Sequence, residues 1–439
     1  MKIKKIFFLL CLTSILIILL HINQLLSRAN DCAVPCDPVH SDSTNCEPCE
    51  PIGCSPYELE ICSADNFFNK YKKHNHCLLN NIEITGWIQG GFFANAHGST
   101  IKRSKQPNYN GKKTTKFEET SGNGYYFGNT HSTDFQINQV CIELTKEADG
   151  KHGLDWGFST GIFFGTDAWF TQSFADANFD YGWQNGDYFT SIPTLLFQLA
   201  YGDLSVKFGK FETYIGYESL KAPDALFYSH PYSFMFETST HAGVLAEYTP
   251  TEKLQLVLAY TAGADGSLEN KYDDHGLLSS VSYQFTDKLN LTYTMMYQRY
   301  GGGVYENGNL RDFANSNQFF HTFLASCELS KNLTYVLQWT LGDTKNRLNL
   351  SHDRLKGIGN YIKYKIDKFW SIGFRTEWFV TKGIDYSDYT IGLTWKPNET
   401  LIIRPEIRYD HVSDKVNKPF NDGKNRDQFS GGITGVVMF

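Results

Sequence analysis

The ten residues from Leu289 to Gln298, LNLTYTMMYQ, decide the fold of this chain. Side chains alternate between the two faces of a β-strand, so residues of one parity share a face. The odd-numbered residues of this stretch are all apolar or aromatic, and the even-numbered ones are polar except Met296. One apolar face and one polar face are typical of a transmembrane β-strand with lipid outside and water inside.

The same alternation returns in the segments 370–378, 389–396, 401–409 and 429–439. A pass along the whole chain gives about sixteen such strands, an even number as in bacterial single-chain barrels. The sequence therefore predicts an all-β fold, an antiparallel transmembrane β-barrel of about sixteen strands. The alternative is a soluble β-sandwich, whose strands also alternate. The predicted strands are 82–94, 134–146, 153–165, 192–201, 203–212, 241–249, 253–262, 276–286, 288–299, 318–329, 332–342, 358–366, 369–380, 388–396, 400–410 and 427–439.

The connections between these strands are alternately short and long, which favours the barrel over the sandwich. Short periplasmic turns and long outer loops are typical of porins. The short connections contain Gly, Asn, Asp and Pro, the residues that tight turns require. They are 202–203, 249–252, 286–288, 330–332, 367–368 and 397–399, and the long ones are 95–133, 166–191, 213–240, 263–275, 300–317, 343–357, 381–387 and 411–426.

Composition is compatible with a barrel and excludes other classes. The chain has 439 residues, of which 15% are aromatic. Its mean hydropathy of −0.36 excludes a helical membrane protein, whereas a porin scores as hydrophilic because half of each strand faces water. A formal net charge of −7 argues against nucleic-acid binding.

The first 29 residues have the organisation of a secretory signal peptide. Three lysines precede an apolar run from Ile6 to Leu20, and Ser27-Arg28-Ala29 provides small residues where a signal peptidase reads. The sequence therefore predicts export of a mature chain that begins after residue 29. A retained N-terminal membrane anchor is the alternative.

Residues 30–79 form a second segment, which is rich in cysteine and proline. Such density in an exported chain predicts a small disulfide-stapled periplasmic segment. The segment has seven cysteines, an odd number, so one of them stays free or pairs elsewhere, with Cys141 or Cys327 as candidate partners. Zinc is the alternative, because Cys46 and Cys49 have ligand spacing and histidines follow. The seven cysteines are Cys32, Cys36, Cys46, Cys49, Cys54, Cys62 and Cys77.

The connection 213–240 is too aromatic for a solvated surface loop. Inside a wide barrel, which would extend over residues 80–439, it would bury its rings against the wall and narrow the pore. We therefore predict an inward-folded constriction loop whose acidic residues oppose inward-facing arginines, creating a field that sorts solutes by charge and size. The alternative is that these charges only pair with neighbouring acids. The predicted constriction residues are Glu218, Asp224, Glu237, Arg375, Arg404 and Arg408.

Several short motifs in and around this loop resemble the OmpL-like β-barrel porin family. They are Gly209-Lys210-Phe211, Ile215-Gly216-Tyr217-Glu218, Ala222-Pro223-Asp224, Phe227-Tyr228-Ser229, Thr240-His241-Ala242-Gly243, Arg404-Pro405-Glu406-Ile407-Arg408-Tyr409-Asp410 and Asp427-Gln428-Phe429. The resemblance covers roughly residues 80–439 and implies an outer-membrane channel. The terminal Phe439 is similar to the assembly signal of outer-membrane proteins. The cysteine-rich segment departs from the family pattern.

The sequence thus predicts an outer-membrane porin for passive diffusion of small hydrophilic solutes and ions. Its expected partners are outer-membrane lipid, these solutes and further copies of the chain, and no nucleic acid. Sequence motifs of common enzymes, such as a nucleophile elbow or a P-loop, are missing, so no enzymatic activity, cofactor or metal is predicted. The alternative is a structural or adhesive surface barrel that is plugged.

Overall fold

The computed structural model describes residues 82–96, 101–107, 113–119, 135–173, 179–269, 274–300, 316–346, 352–421 and 424–439. Nearly all of them are in strands or in the connections between strands, and no helix in these ranges is long and apolar enough to cross a membrane. The predicted signal peptide, the cysteine-rich segment and its seven cysteines lie outside the described residues.

Twenty strands occur in the described ranges, and short 3-10 helices occupy Gly150–His152, Asp167–Thr171 and Ser233–Met235. The strands are β1 Glu83–Asn95, β2 Ile101–Pro107, β3 Lys113–Glu119, β4 Phe135–Lys146, β5 Asp155–Gly165, β6 Gln184–Asn185, β7 Tyr188–Ser191, β8 Leu195–Tyr201, β9 Leu204–Glu212, β10 Thr240–Thr251, β11 Leu254–Thr261, β12 Gly276–Thr286, β13 Leu289–Tyr300, β14 Ser316–Ser330, β15 Leu333–Asn346, β16 His352–Lys365, β17 Trp370–Thr381, β18 Ile384–Trp395, β19 Leu401–Val412 and β20 Asp427–Met438.

Sixteen of these strands form a closed antiparallel barrel. The ring runs β1, β4, β5 and β8 to β20, and it closes because β1 pairs with β20 on one side and β4 on the other. Closure leaves no edge strand, as a spanning sheet in lipid requires. The hairpin of β2 and β3 is a separate sheet, and β6 and β7 pair beside β5. Each of the sixteen predicted strands corresponds to one barrel strand, which confirms the predicted fold class.

The alternation of the decisive segment is confirmed in β13. Tyr293 and Tyr297 are 43% and 44% exposed on the outer face, whereas Thr294 and Gln298 are 1% and 0% exposed on the inner face. Aromatic residues also lie on the outer face beside short turns, where Trp370 stacks on Trp395 with 5.8 Å between ring centroids. The outer surface is therefore apolar with aromatic rings near one end, as lipid contact requires.

The prediction of a long connection at 381–387 was wrong. Strands β17 and β18 stay paired to Thr381 and Ile384, and the turn consists of Lys382 and Gly383 alone. Both turn residues have positive φ, 50° and 75°, which is the backbone of a tight hairpin turn. Lysine is unusual in this conformation, and this turn lacks the Asn-Gly or Asp-Gly pair that would have predicted it.

Candidate functional site

The connection between β9 and β10, hereafter loop 213–239, has buried aromatic side chains. Loop residues Phe227, Tyr228 and Tyr232 are between 1% and 6% exposed, although no regular strand or long helix holds them. Exposed aromatic clusters of this size are rare in proteins, so the rings require a surface to pack on. The inner wall of the barrel provides that surface.

Two glycines on the inner face of the wall accommodate Phe227. Gly373 of β17 and Gly392 of β18 are cross-strand neighbours. A Cβ atom at Gly373 would lie 3.0 Å from Phe227 Cζ, and one at Gly392 would lie 3.2 Å from Phe227 Cδ1. Sequence reasoning missed this recess, and the signal that could have found it is a glycine at an inward position of an otherwise regular strand.

Two wall carboxylates bind backbone amides of the loop. The Glu406 carboxylate accepts hydrogen bonds from the N–H groups of Tyr228 at 2.6 Å and Ser229 at 3.1 Å. The Glu377 carboxylate accepts from the N–H groups of Tyr232 at 2.5 Å and Ser233 at 3.0 Å. Charge-assisted bonds of this kind are roughly twice as strong as neutral ones. Glu377 and Glu406 therefore hold the middle of the loop on β17 and β19.

Arg375 joins the loop to β17 and β18. Its Nη1 donates to Glu218 Oε1 at 3.1 Å and to the Ser229 carbonyl at 2.7 Å, and its Nε lies 3.2 Å from Asp388 Oδ2. The arginine side chain is fully buried, as is that of Asp388. The structure thus brings the predicted constriction residues Glu218 and Arg375 into direct contact.

The other two predicted arginines also bind the loop, each in its own way. Arg408 pairs with Asp410 at 2.9 Å and donates to the His230 carbonyl at 2.5 Å. Arg404 donates from Nη1 and Nη2 to the carbonyls of Ala222 and Pro223, at 2.7 and 3.1 Å. The expected strip of arginines across an open gap is instead a set of buried side chains beneath the loop, and Arg408 follows the alternative of pairing with a neighbouring acid.

The loop is also anchored on strands to either side of β17–β19. Lys221 Nζ lies 2.6 Å from Glu143 of β4, and the Tyr217 N–H donates to Gln338 of β15 at 2.9 Å. In the ring of sixteen, β9 and β10, where the loop leaves and rejoins the wall, are each eight positions away from β17 and β18, respectively. Loop 213–239 therefore crosses the interior of the barrel and lies against the opposite wall from β15 to β4.

Two loop carboxyl groups have shifted pKa values in opposite directions. Burial opposes ionisation of Glu218, but the adjacent His230 and the positive charge of Arg375 hold its pKa below the ordinary value. Burial raises the pKa of Glu237 to about 8, and the negative charges of Glu377 and Glu218 add to that rise. Glu237 Oε1 accepts a hydrogen bond from Gln338 Nε2 at 2.9 Å. Asp224, the last of the predicted constriction residues, lines a cavity together with Arg404.

The two cysteines of the barrel, Cys141 and Cys327, are free thiols. The Cys141 thiol is buried. A reactive cysteine needs access to its reaction partner and a stabilised thiolate, so we expect Cys141 to be unreactive. No group of three or more metal-ligating side chains is placed for an ion within the described ranges.

Solved structures with the same architecture include porins of low sequence identity. An anion-selective porin from Comamonas acidovorans is 10% identical, with a TM-score of 0.51 over 82% of this chain and 99% of that one. The trimer form of in-vitro folded OmpT, an outer membrane protein of Vibrio cholerae, is 10% identical, with a TM-score of 0.50 over 82% and 99% of the two chains. At this identity the likeness shows the fold alone.

A comparison with curated proteins gave no match. The family described as putative beta-barrel porin-2, OmpL-like, matches residues 81–439, which is the whole barrel. The resemblance predicted from the loop motifs is thereby confirmed, and with it a channel in the outer membrane. This chain belongs to the OmpL-like beta-barrel porin-2 family and is an outer-membrane porin.

Proposed function

We propose that this porin conducts small hydrophilic solutes and ions passively and that loop 213–239 forms the narrowest section of its channel. The single observation that carries the proposal is the path of the loop, which leaves the wall at β9 and is bound by Glu377 of β17, eight positions away in the ring of sixteen. A segment held across the interior reduces the open cross-section. The narrowest section sets the resistance of a pore and the size of solute that passes.

The charge selectivity of this section depends on which charged groups still reach water. Arg375 and Arg408 are fully buried and neutralised by carboxylates. Their fields are largely cancelled within a few ångströms, so in our proposal they position the loop. Glu218 shares that role through Arg375, and Arg404 shares it through its bonds to loop carbonyls. Asp224 is exposed and acts on passing ions.

Single-channel conductance in planar bilayers tests this proposal. Deleting residues 219–236 should widen the channel and raise the conductance step, because the crossing segment is gone. Deleting 414–418, in the connection between β19 and β20, is the matched control and should leave the step unchanged. Equal steps in all three proteins would show that the loop lies outside the narrowest section. A wild-type chain that is silent until the loop is deleted would identify a plugged structural barrel.

The remaining organisation of the chain also belongs to this proposal. Residues 1–29 act as a signal peptide, 30–79 as an oxidised cysteine-rich periplasmic segment and 80–439 as the pore. We further propose that the barrel self-associates, since OmpT of the same fold has a trimer form. Light scattering of the protein in detergent tests self-association. Thiol counting with and without reductant tests the oxidised state of the seven N-terminal cysteines, and stoichiometric zinc on free thiols would contradict it.

A further inference from the structure

A cavity of about 250 Å³ lies between loop 213–239, at Tyr217 and residues 223–226, and the barrel wall. Its lining contains five basic side chains and two carboxylates, so positive charge is in excess. A water molecule occupies about 30 Å³ in the liquid, so the cavity has room for a small solute together with several waters. The basic side chains are Lys363, Lys365, Lys368, Lys396 and Arg404.

The lysines converge because of strand register. Lys363 and Lys365 have the inward parity of the buried Tyr361 on β16, and their partners on β17 are Gly373 and Ser371. Ser371 in turn pairs with Thr394 on β18, two residues before Lys396. Neighbouring strands are about 4.8 Å apart, so β16 and β18 are separated by roughly 10 Å. Lysine side chains extending from both strands can therefore reach one bound group.

Positive charge in this cavity is poorly compensated by the protein. Among the described residues, no carboxylate lies within ion-pair distance of Lys363, Lys365 or Lys396. Asp367 of the lining is already engaged, because its Oδ1 accepts the N–H groups of Phe369 and Trp370 at 2.7 and 2.8 Å. Of the two lining carboxylates, Asp224 is then the one left to offset the charge of the five basic side chains.

A buried donor of Arg404 is left without a partner at the same place. The residue is 2% exposed and lines the cavity, and both terminal nitrogens donate to loop carbonyls. Its Nε has no hydrogen-bond partner. A buried donor of this kind is costly to leave unsatisfied, above all on a charged group. The hydrogen bonds of this guanidinium go to two neutral carbonyls, so its positive charge adds to that of the lysines.

We propose that this cavity binds small polyvalent oxyanions of the phosphate class. An oxyanion with two negative charges would lie beside the Arg404 side chain and neutralise Lys363 and Lys365 of β16 and Lys396 after β18, for which one monovalent anion is insufficient. The site lies beside loop 213–239, so an occupant would stand in the path of ions. This inference rests on the proposed conduction through that path, and it gives the channel a preferred class of solute.

The test is inhibition of chloride current by inorganic phosphate in planar bilayers at constant ionic strength and pH 8. Phosphate should reduce the wild-type current with a midpoint in the millimolar range. The triple variant Lys363→Gln/Lys365→Gln/Lys396→Gln should raise that midpoint at least tenfold. The matched control Lys253→Gln/Lys288→Gln/Lys331→Gln removes the same charge from three other short turns, where all three lysines are exposed, and should behave as wild type.

The outcomes separate this inference from the proposed function. Absence of wild-type channels would refute conduction itself. Normal channels whose current is insensitive to phosphate, or whose midpoint shifts equally in both triple variants, would overturn the anion site alone. Acetate at the same concentration should have little effect because it carries one charge, and inhibition by acetate equal to that by phosphate would overturn the assignment to polyvalent oxyanions.

Discussion

Arg375 Nη1 donates to Glu218 Oε1 across 3.1 Å, although the two residues are 157 positions apart in the chain. The pair joins an inward position of β17 to the loop that crosses the barrel. Both side chains are buried, at 0% and 2% exposure. Removing one partner of a buried ion pair is strongly destabilising, because the other charge is left uncompensated in the interior.

We predict that Arg375→Gln destabilises the barrel more than Glu218→Gln does. The first change leaves the buried Glu218 carboxylate without a guanidinium and Asp388 with Arg408 alone, 3.6 Å away, whereas the second leaves Arg375 still paired with Asp388. Breaking a buried pair typically costs about 3–5 kcal/mol, and we expect that range for Arg375→Gln. Urea unfolding followed by tryptophan fluorescence in vesicles measures both, and equal losses would contradict a role for Asp388.

The raised pKa of Glu237 predicts that the barrel is more stable in mild acid than in base. The folded protein keeps this proton up to about pH 8, whereas the ordinary value is 4.5. Stability from this group is therefore fully present below pH 4.5 and is lost as the pH rises through 8. Glu237→Gln should reduce the fall in the urea midpoint between pH 5 and pH 9. Glu252→Gln, at an exposed turn, is the control, and an unchanged fall in Glu237→Gln would refute the prediction.

Filling the recess under Phe227 should release the loop. A Cβ atom at Gly373 would come within 3.0 Å of the Phe227 ring, whereas one at Gly435 of β20 meets nothing within 4 Å. We expect Gly373→Ala to cost about 1 kcal/mol or more through overpacking and to expose the Lys221–Ala222 bond to trypsin. Gly435→Ala should be cleaved no faster than wild type. Identical cleavage of both variants would show that Phe227 does not hold the loop.

The orientation of the barrel follows from its short turns, which we predict to face the periplasm. An epitope inserted after Asp287, in the turn between β12 and β13, should be hidden from antibody on intact cells. The same epitope after Val416, which is 86% exposed between β19 and β20, should be accessible. Permeabilised cells provide the control for expression of both insertions. The reverse pattern of labelling would invert the orientation.

The sequence alone determined the strands and their inward and outward faces. Period two is a local property, since each residue of β13 faces lipid or the interior according to its own parity. For that reason all sixteen barrel strands could be predicted before any contact was known, whereas the family was recognised from short sequence motifs. The same logic placed Arg375, Arg404 and Arg408 on the inner face, where the structure has them.

Only the tertiary structure decided what those inward residues meet. Strand register brings Asp388 to Arg375, and the path of the loop brings Glu218 to it. Neither acid is a close neighbour of Arg375 in the sequence. Phe227 fits a recess that exists only once Gly373 and Gly392 are paired. The cluster of Lys363, Lys365 and Lys396 likewise requires β16 and β18 to lie on either side of β17. Local alternation is set by backbone geometry, whereas partners across the barrel depend on its closure and on where the loop crosses it.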